Sequence, residues 1–461
     1  MEELFALGVE CLKEEGVFVC LKKTLHWFFH YIWWKRIMIR NNFRPYMRKH
    51  FEWYDRMWMK RFYLKQNGCD GMLPFRCWAN GFDYARKRGL FAQTILENEE
   101  TSVVSPQYFE GKEKKIFRYI CPPIYVAEFK EADIYGGSNL ISVKKTLISD
   151  ICVRDQDERR YDIWGGEFQK RECVFVPYKK CDLIIEKAIL MTGIASYNYY
   201  HFTFEIISRL AIADRVEGYR QWPILIDQRV LSITQLCDLL KYLNLYEHEV
   251  IAVNEFEKVR VKNLLFVSPD MWMPVNFNQG VEQRESDFLF SRFVVDNIRN
   301  RILEQVMKKE AVVTWKKIFL SRKNCKNQRL VNADIIEKLF ADNGFHVVYP
   351  EELSLDEEVI LFHEADVIVG PTGAAFTNIV YCKKDCFIGI IMPETYKPYF
   401  FSNIAHMVGV RFMLLAGDTV SKSRYESMDQ FCLDTNKCKR FLDYLRKEGE
   451  NRHVYSNEKM A

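Results

Sequence analysis

The sequence predicts an α/β protein built on two parallel, doubly wound sheets, with a helical, basic and aromatic region ahead of them. Strand-length apolar runs alternate with helix-length amphipathic segments from about residue 181 to 415, the pattern of βαβ units. At 461 residues the chain exceeds one ordinary domain. Its 48% hydrophobic and 28% charged residues are the balance of a folded globular protein.

Taken in order, residues 1–100 are helical in texture, 101–280 hold the first sheet and 281–450 the second. Residues 103–180 are strand-like, with turns at Gly136-Gly137 and Gly165-Gly166. The first regular unit is a strand at 183–190, a helix at 200–214, a strand at 223–227 and a helix at 232–243. The polar stretch 279–309 reads as a helical linker between the sheets. The second unit opens with a strand at 317–321 and a helix at 332–342, which Asn343-Gly344 ends in the manner of a left-handed cap. Strands at 346–349, 366–370, 387–392 and 411–415 then alternate with helices at 356–364, 374–381 and 401–408. The last dozen residues read as a polar tail.

A net charge of +4 gives no argument for nucleic acid as a partner. Its distribution says more: between Cys20 and Lys65 twelve Lys and Arg face two acids, interleaved with Trp27, Trp33, Trp34, Trp53 and Trp58. That composition suits contact with an anionic membrane surface, or equally a helical arm packed on the body of the protein. The uncharged run 24–34 is too short to cross a bilayer, and the acidic opening Met1-Glu2-Glu3 is unlike a secretory signal. The 14 cysteines include no CxxC pair, so they read as reduced thiols of a cytoplasmic protein, peripheral on the inner face of the membrane if the arm binds lipid.

In open α/β sheets ligands bind beyond the carboxyl ends of the strands, so the residues after each strand carry the chemistry. Gly370-Pro371-Thr372-Gly373-Ala374 leads from a strand into a helix whose first N–H groups can hold a diphosphate, with Thr372 and Asn378 as further donors. An ordinary tight turn would have the same glycines. Ser321-Arg322-Lys323 and Arg329 follow the first strand of that sheet; Arg322 is suited to bidentate phosphate binding, whereas Lys323 and Lys326 read as solvated loop. In the first unit His201 and Glu205 stand four apart at a helix start, on one face. They could act on an acceptor hydroxyl, or be a core histidine and a capping carboxylate. Asp155-Gln156-Asp157 has the spacing of a metal-binding pair of acids but reads better as a charged loop, and no metal or other cofactor is expected.

The runs SYNYYHFTFEIISRLAIAD, IFLSRKNCKNQRLVN and GFHVVYPEELSLDEEVILFHEADVIVGPTGAAFTNIVYC together resemble glycosyltransferase family 61, including bacterial capsular-polysaccharide members, over roughly residues 181–415. The resemblance implies a GT-B fold of two facing Rossmann-like domains, a nucleotide-sugar donor, and inversion at the anomeric carbon. It places the donor near Arg322, Arg329, Thr372, Gly373, Ala374 and Asn378, and acceptor and catalytic groups around His201 and Glu205. Many members have histidine where this chain has Thr372, and glutamate where it has Gly389; Glu394 is the alternative ribose ligand.

The expected function is therefore inverting transfer of a sugar to an oligosaccharide or lipid-linked glycan, with Glu205 or His201 as base and Arg322 stabilising the departing nucleoside diphosphate. The cleft is expected to stand open and to narrow on donor binding. The alternative from another class is a non-catalytic nucleotide-sugar-binding or scaffold subunit of a polysaccharide-assembly complex. A dehydrogenase would share the sheet type, but the chain has no GxGxxG.

Overall fold

The computed structural model describes residues 64–458 apart from 65–66, 76, 112, 149–160, 164–165, 169–173, 273–283, 310–313, 324, 326–327 and 424–425. The basic, aromatic arm (all but Leu64), the Asp155-Gln156-Asp157 triplet and Lys326 lie outside the described residues. The described part of the region 1–100, expected to be helical, holds the short helix Gly81–Lys87 but gives strands Gly71–Phe75, Cys77–Ala79 and Ala92–Leu96 to the first sheet, a correction that also moves that sheet's start ahead of residue 101. Residues 69–461 form one compact unit, and two large sheets dominate it.

The first sheet has ten strands and is mixed. Its main members are β1 (Ile124–Tyr135), β2 (Val174–Met191), β3 (Ile224–Asp227), β4 (Val250–Val253) and β5 (Glu257–Val267). Strands β4-β3-β2-β5 are parallel neighbours, and β5 then pairs antiparallel with β1. The parallel part is the βαβ unit expected from the sequence. The antiparallel part falls in the strand-like region 103–180, where no helical pattern separates the strands.

The second sheet contains β6 (Lys317–Leu320), β7 (His346–Val348), β8 (Val367–Pro371), β9 (Phe387–Pro393), β10 (Arg411–Ser421) and β11 (Gln430–Cys432). Their order is β7-β6-β8-β9-β10-β11, parallel except at the last edge. All seven residues of β9 are buried, as a parallel strand covered on both faces requires. The strand order reverses between β6 and β8, which opens a crevice at their carboxyl ends. Gly370 allows that close pairing, because a Cβ there would lie 2.5 Å from the Leu320 carbonyl oxygen.

Local signals set the helices: α1 (Thr234–Leu243), α2 (Arg292–Val306), α3 (Ala333–Asp342), α4 (Leu355–Glu364), α5 (Tyr399–Val408) and α6 (Thr435–Glu458). Helix α3 ends at Asn343 and Gly344, the latter at φ +81°, as the sequence indicated. Helix α4 starts in a capping box, with Ser354 Oγ accepting from Glu357 N and Ser354 N donating to the Glu357 carboxylate at 2.8 Å. Residues 374–381 form a 3-10 helix rather than an α-helix.

The expected linker 279–309 is a correction. Helix α2 buries Val294, Val295, Ile298, Ile302 and Val306, a stripe at helical spacing that its polar outer face masks in composition. It lies in a single core that also takes Ile189, Ile226 and Leu265 from the first sheet and Ile318, Ile368 and Ile388 from the second. Residues 99–110 pass to the second sheet as well, where Leu414 N donates to Gln107 O at 2.8 Å and Val104 N to Asn403 Oδ1 at 2.7 Å. Side chains tie the seam: Tyr199 to Asn378 at 2.7 Å, Tyr242 to Asp356 at 2.6 Å and Gln235 to the Leu353 carbonyl at 2.9 Å. A freely hinging cleft does not match this packing, because opening would expose shared core. Among the described residues no helix is long and apolar enough to cross a membrane.

Candidate active site

Beyond β6 and β8 lies a small crevice with a free volume of about 10 Å³, close to what a single water needs. Ser321, Arg322, Gln328, Arg329 and Thr372 line it, so the two strand-end segments singled out in the sequence meet there. Arg322 makes no ion pair with any described residue, and its Nε is buried without a hydrogen bond. Its guanidinium lies over Gly373, where a Cβ would collide with it. The glycine makes room for the arginine as it stands and is not called for by its own backbone, which is fully extended at φ −175°.

Arg329 is held differently. Its Nη2 donates to the Thr372 carbonyl at 2.6 Å and its Nη1 to the Ser427 carbonyl, so it braces the β8 loop. Burial, and then the neighbouring Arg322, push its pKa down to about 10. Two guanidiniums placed together raise the local potential and favour an anion. After β8 the Phe376 N–H turns back to the Gly373 carbonyl at 3.1 Å, leaving the Ala374 and Ala375 N–H groups as free donors of the first turn. Lys323 lies outside this arrangement, paired with Asp334 at 2.9 Å on the surface.

The other expected contacts are placed less simply. Asn378 is fully buried; its amide oxygen accepts from Tyr199 and its nitrogen donates to Glu358, so its side chain joins the two halves. Glu394 is exposed after β9 and does not line the pocket. Gly389 lies in mid-strand, where a side chain would meet Phe441 at 3.1 Å and Val369 at 3.2 Å. A carboxylate at that position would face α6 and not the crevice.

His201 and Glu205 start the helical segment after β2. Asn198 caps it, its Oδ1 accepting from Tyr200 N at 2.9 Å. The expected continuous helix is instead an α turn (Tyr199–His201), a π turn (Phe202–Ile206), a 3-10 turn (Ile207–Arg209) and an α turn (Leu210–Ala213). Such π turns inside helices are frequent at functional sites. His201 Nδ1 and Glu205 Oε2 are 2.9 Å apart, with the side chains 20% and 13% exposed. Burial alone would lower the imidazole's pKa, but the charge and hydrogen bond of Glu205 outweigh it and the net shift is upward.

A chain of side chains links this pair to the arginine pocket: Tyr200 packs on Phe400, Phe400 on Tyr396, and Tyr396 lies near Arg329. Tyr199 bonds to Asn378, four residues beyond Ala374, and the Tyr200 ring lies 4.9 Å from Phe400 and 5.4 Å from His201. Residues that the sequence reading missed surround the pair. Asp227 ends β3, accepts from Gly137 N at 2.5 Å and Gly193 N at 3.1 Å, and is pushed up to about 6 by burial. Its strand-end position was a usable signal. Arg209 and Asp270, both buried, had none beyond Arg209's helical spacing from Glu205.

No curated protein matches the chain at a significant level. Residues 199–389 match the family model Glycosyltransferase 61, a span that opens on Tyr199, takes in every residue of both groups, and closes before Glu394. That match assigns residues 199–389 to glycosyltransferase family 61, and the activity the family implies in general terms is that of a glycosyltransferase.

Proposed function

We propose that the chain is an inverting glycosyltransferase that moves a sugar from a nucleotide-sugar donor to a glycan acceptor, of the kind that becomes surface or capsular polysaccharide. The observation that carries this reading is Arg322, which no described residue pairs, over Gly373 at the reversal point of the second sheet, with the His201–Glu205 pair linked to that pocket through Tyr200, Phe400 and Tyr396. In a GT-B-like arrangement the donor diphosphate lies against Arg322 and the Ala374 and Ala375 N–H groups, in a loop that Arg329 braces by donating to the Thr372 carbonyl. Glu205 accepts from His201 Nδ1–H, which leaves Nε2 to take the proton of the acceptor hydroxyl. The hydroxyl oxygen then bonds to the anomeric carbon as the bond to the diphosphate breaks. Arg322 and the helix-terminal N–H groups stabilise the departing charge, a role that needs no metal.

The protein would work on the cytoplasmic side, its basic, aromatic arm against anionic lipid. Incubation with a panel of nucleotide sugars and oligosaccharide acceptors, read by mass spectrometry, tests the reading. A gain of one sugar mass on an acceptor, with release of nucleoside diphosphate, supports it. Nucleotide binding without transfer to any acceptor would favour a scaffold role.

A further inference from the structure

Behind the His201–Glu205 pair lies a buried charge cluster that transfer chemistry does not by itself call for. Arg209 stands four residues beyond Glu205 on the same segment and is 3% exposed. Asp270, in the loop after β5, is fully buried. Arg209 Nη2 donates to the Thr192 carbonyl at 3.2 Å, but its Nε has no partner. The second oxygen of Glu205 and both oxygens of Asp270 are likewise buried without a hydrogen bond. The Ser208 hydroxyl, which also faces Asp270, donates to the Phe204 carbonyl at 2.9 Å. Four orphaned polar atoms on three neighbouring residues are costly unless their charges support one another.

We infer that Arg209 and Asp270 are positioning residues: Arg209 sets a positive charge behind the His201–Glu205 pair, and Asp270 balances Arg209. The inference rests on His201 and Glu205 being the proton-taking pair. With imidazolium and guanidinium set against two carboxylates, the cluster is neutral while His201 is protonated. When His201 gives up its proton, Arg209 alone remains to offset the buried Glu205. Arg209 therefore sets how readily His201 releases its proton. The groups facing it are Tyr200 and Arg209 on its own segment and Asp270 from the loop after β5, with Asp227 of β3 beyond Arg209. Asp270 is pushed up to about 6, by burial first, so its charge is present at neutral pH.

The test is a pair of opposite shifts. Removing the cation in Arg209→Met should keep the proton on the pair to higher pH and move the acid limb of kcat/KM up by about one unit. Asp270→Asn should move it down, and Arg209→Lys, which keeps the charge, should return it most of the way to the wild-type position. Titration of the His201 ring by NMR in the full chain without substrate, assigned with His201→Gln, reads the same shifts independently of turnover. Opposed ring shifts in protein that transfers no sugar would leave this wiring standing and overturn the catalytic reading. If both variants fold, and shift neither the ring titration nor the acid limb or shift them in one direction, Arg209 and Asp270 only support the fold and the inference is wrong.

Discussion

The Tyr199 hydroxyl donates to the Asn378 amide oxygen at 2.7 Å, and so joins the segment that carries His201 to the 3-10 helix that opens at the arginine pocket. Asn378 passes the contact on to Glu358 of α4. The bond stabilises the fold and sets the spacing between the two parts of the site. Tyr199→Phe should leave a buried amide oxygen unpaired and cost about 1–3 kcal/mol, measured by chemical denaturation. Its turnover should fall further than its nucleoside diphosphate affinity, since the pocket itself is untouched.

Glu358 should make stability fall with pH. Burial pushes its carboxyl up to about 8, against the donation from Asn378. A carboxyl raised in the fold contributes stability that is full below its unfolded value and is lost as pH rises through the folded one. The window runs from about 4.5 to about 8. Glu358→Gln should flatten the slope in that window and gain on the wild type by a few kcal/mol, on the order of 4, above it. Denaturation midpoints of the two proteins at pH 5 and pH 9 check this; an equal difference at both would contradict it.

Gly373→Ala should weaken donor binding without unfolding the protein. Its extended backbone accepts alanine, but the new Cβ meets the Arg322 guanidinium. Displacing that group should lower nucleoside diphosphate affinity roughly tenfold, a little over 1 kcal/mol by calorimetry. Unchanged affinity would mean that the guanidinium reaches the ligand from elsewhere.

Much of this arrangement was legible in the sequence, for identifiable reasons. Parallel strands buried on both faces are continuous apolar runs, so β6, β8 and β9 could be read directly, and strand ends located Arg322 and the Thr372 loop. Helix α2 could not be told from a linker, because only the partner surfaces reveal that Val294, Ile298 and Ile302 face a shared core. The π turn at Phe202–Ile206 has no signature in residue type, and a period of 3.6 hides it. Asn378 looked like a ligand donor because its partners Tyr199 and Glu358 come from distant parts of the chain. Asp270 was invisible for the same reason: an acid in a loop after a strand is ordinary until Arg209 is brought beside it.

The most direct test of two cooperating groups, one for the donor diphosphate and one for proton transfer, is to measure nucleoside diphosphate affinity and sugar transfer together in Arg322→Ala and His201→Ala. Arg322→Ala should lose roughly 1.5–3 kcal/mol of nucleotide binding, and turnover with it. His201→Ala should bind nucleotide as the wild type does and lose about 10²–10⁴-fold in turnover. Normal nucleotide binding by Arg322→Ala, or near-normal turnover by His201→Ala, would contradict the account.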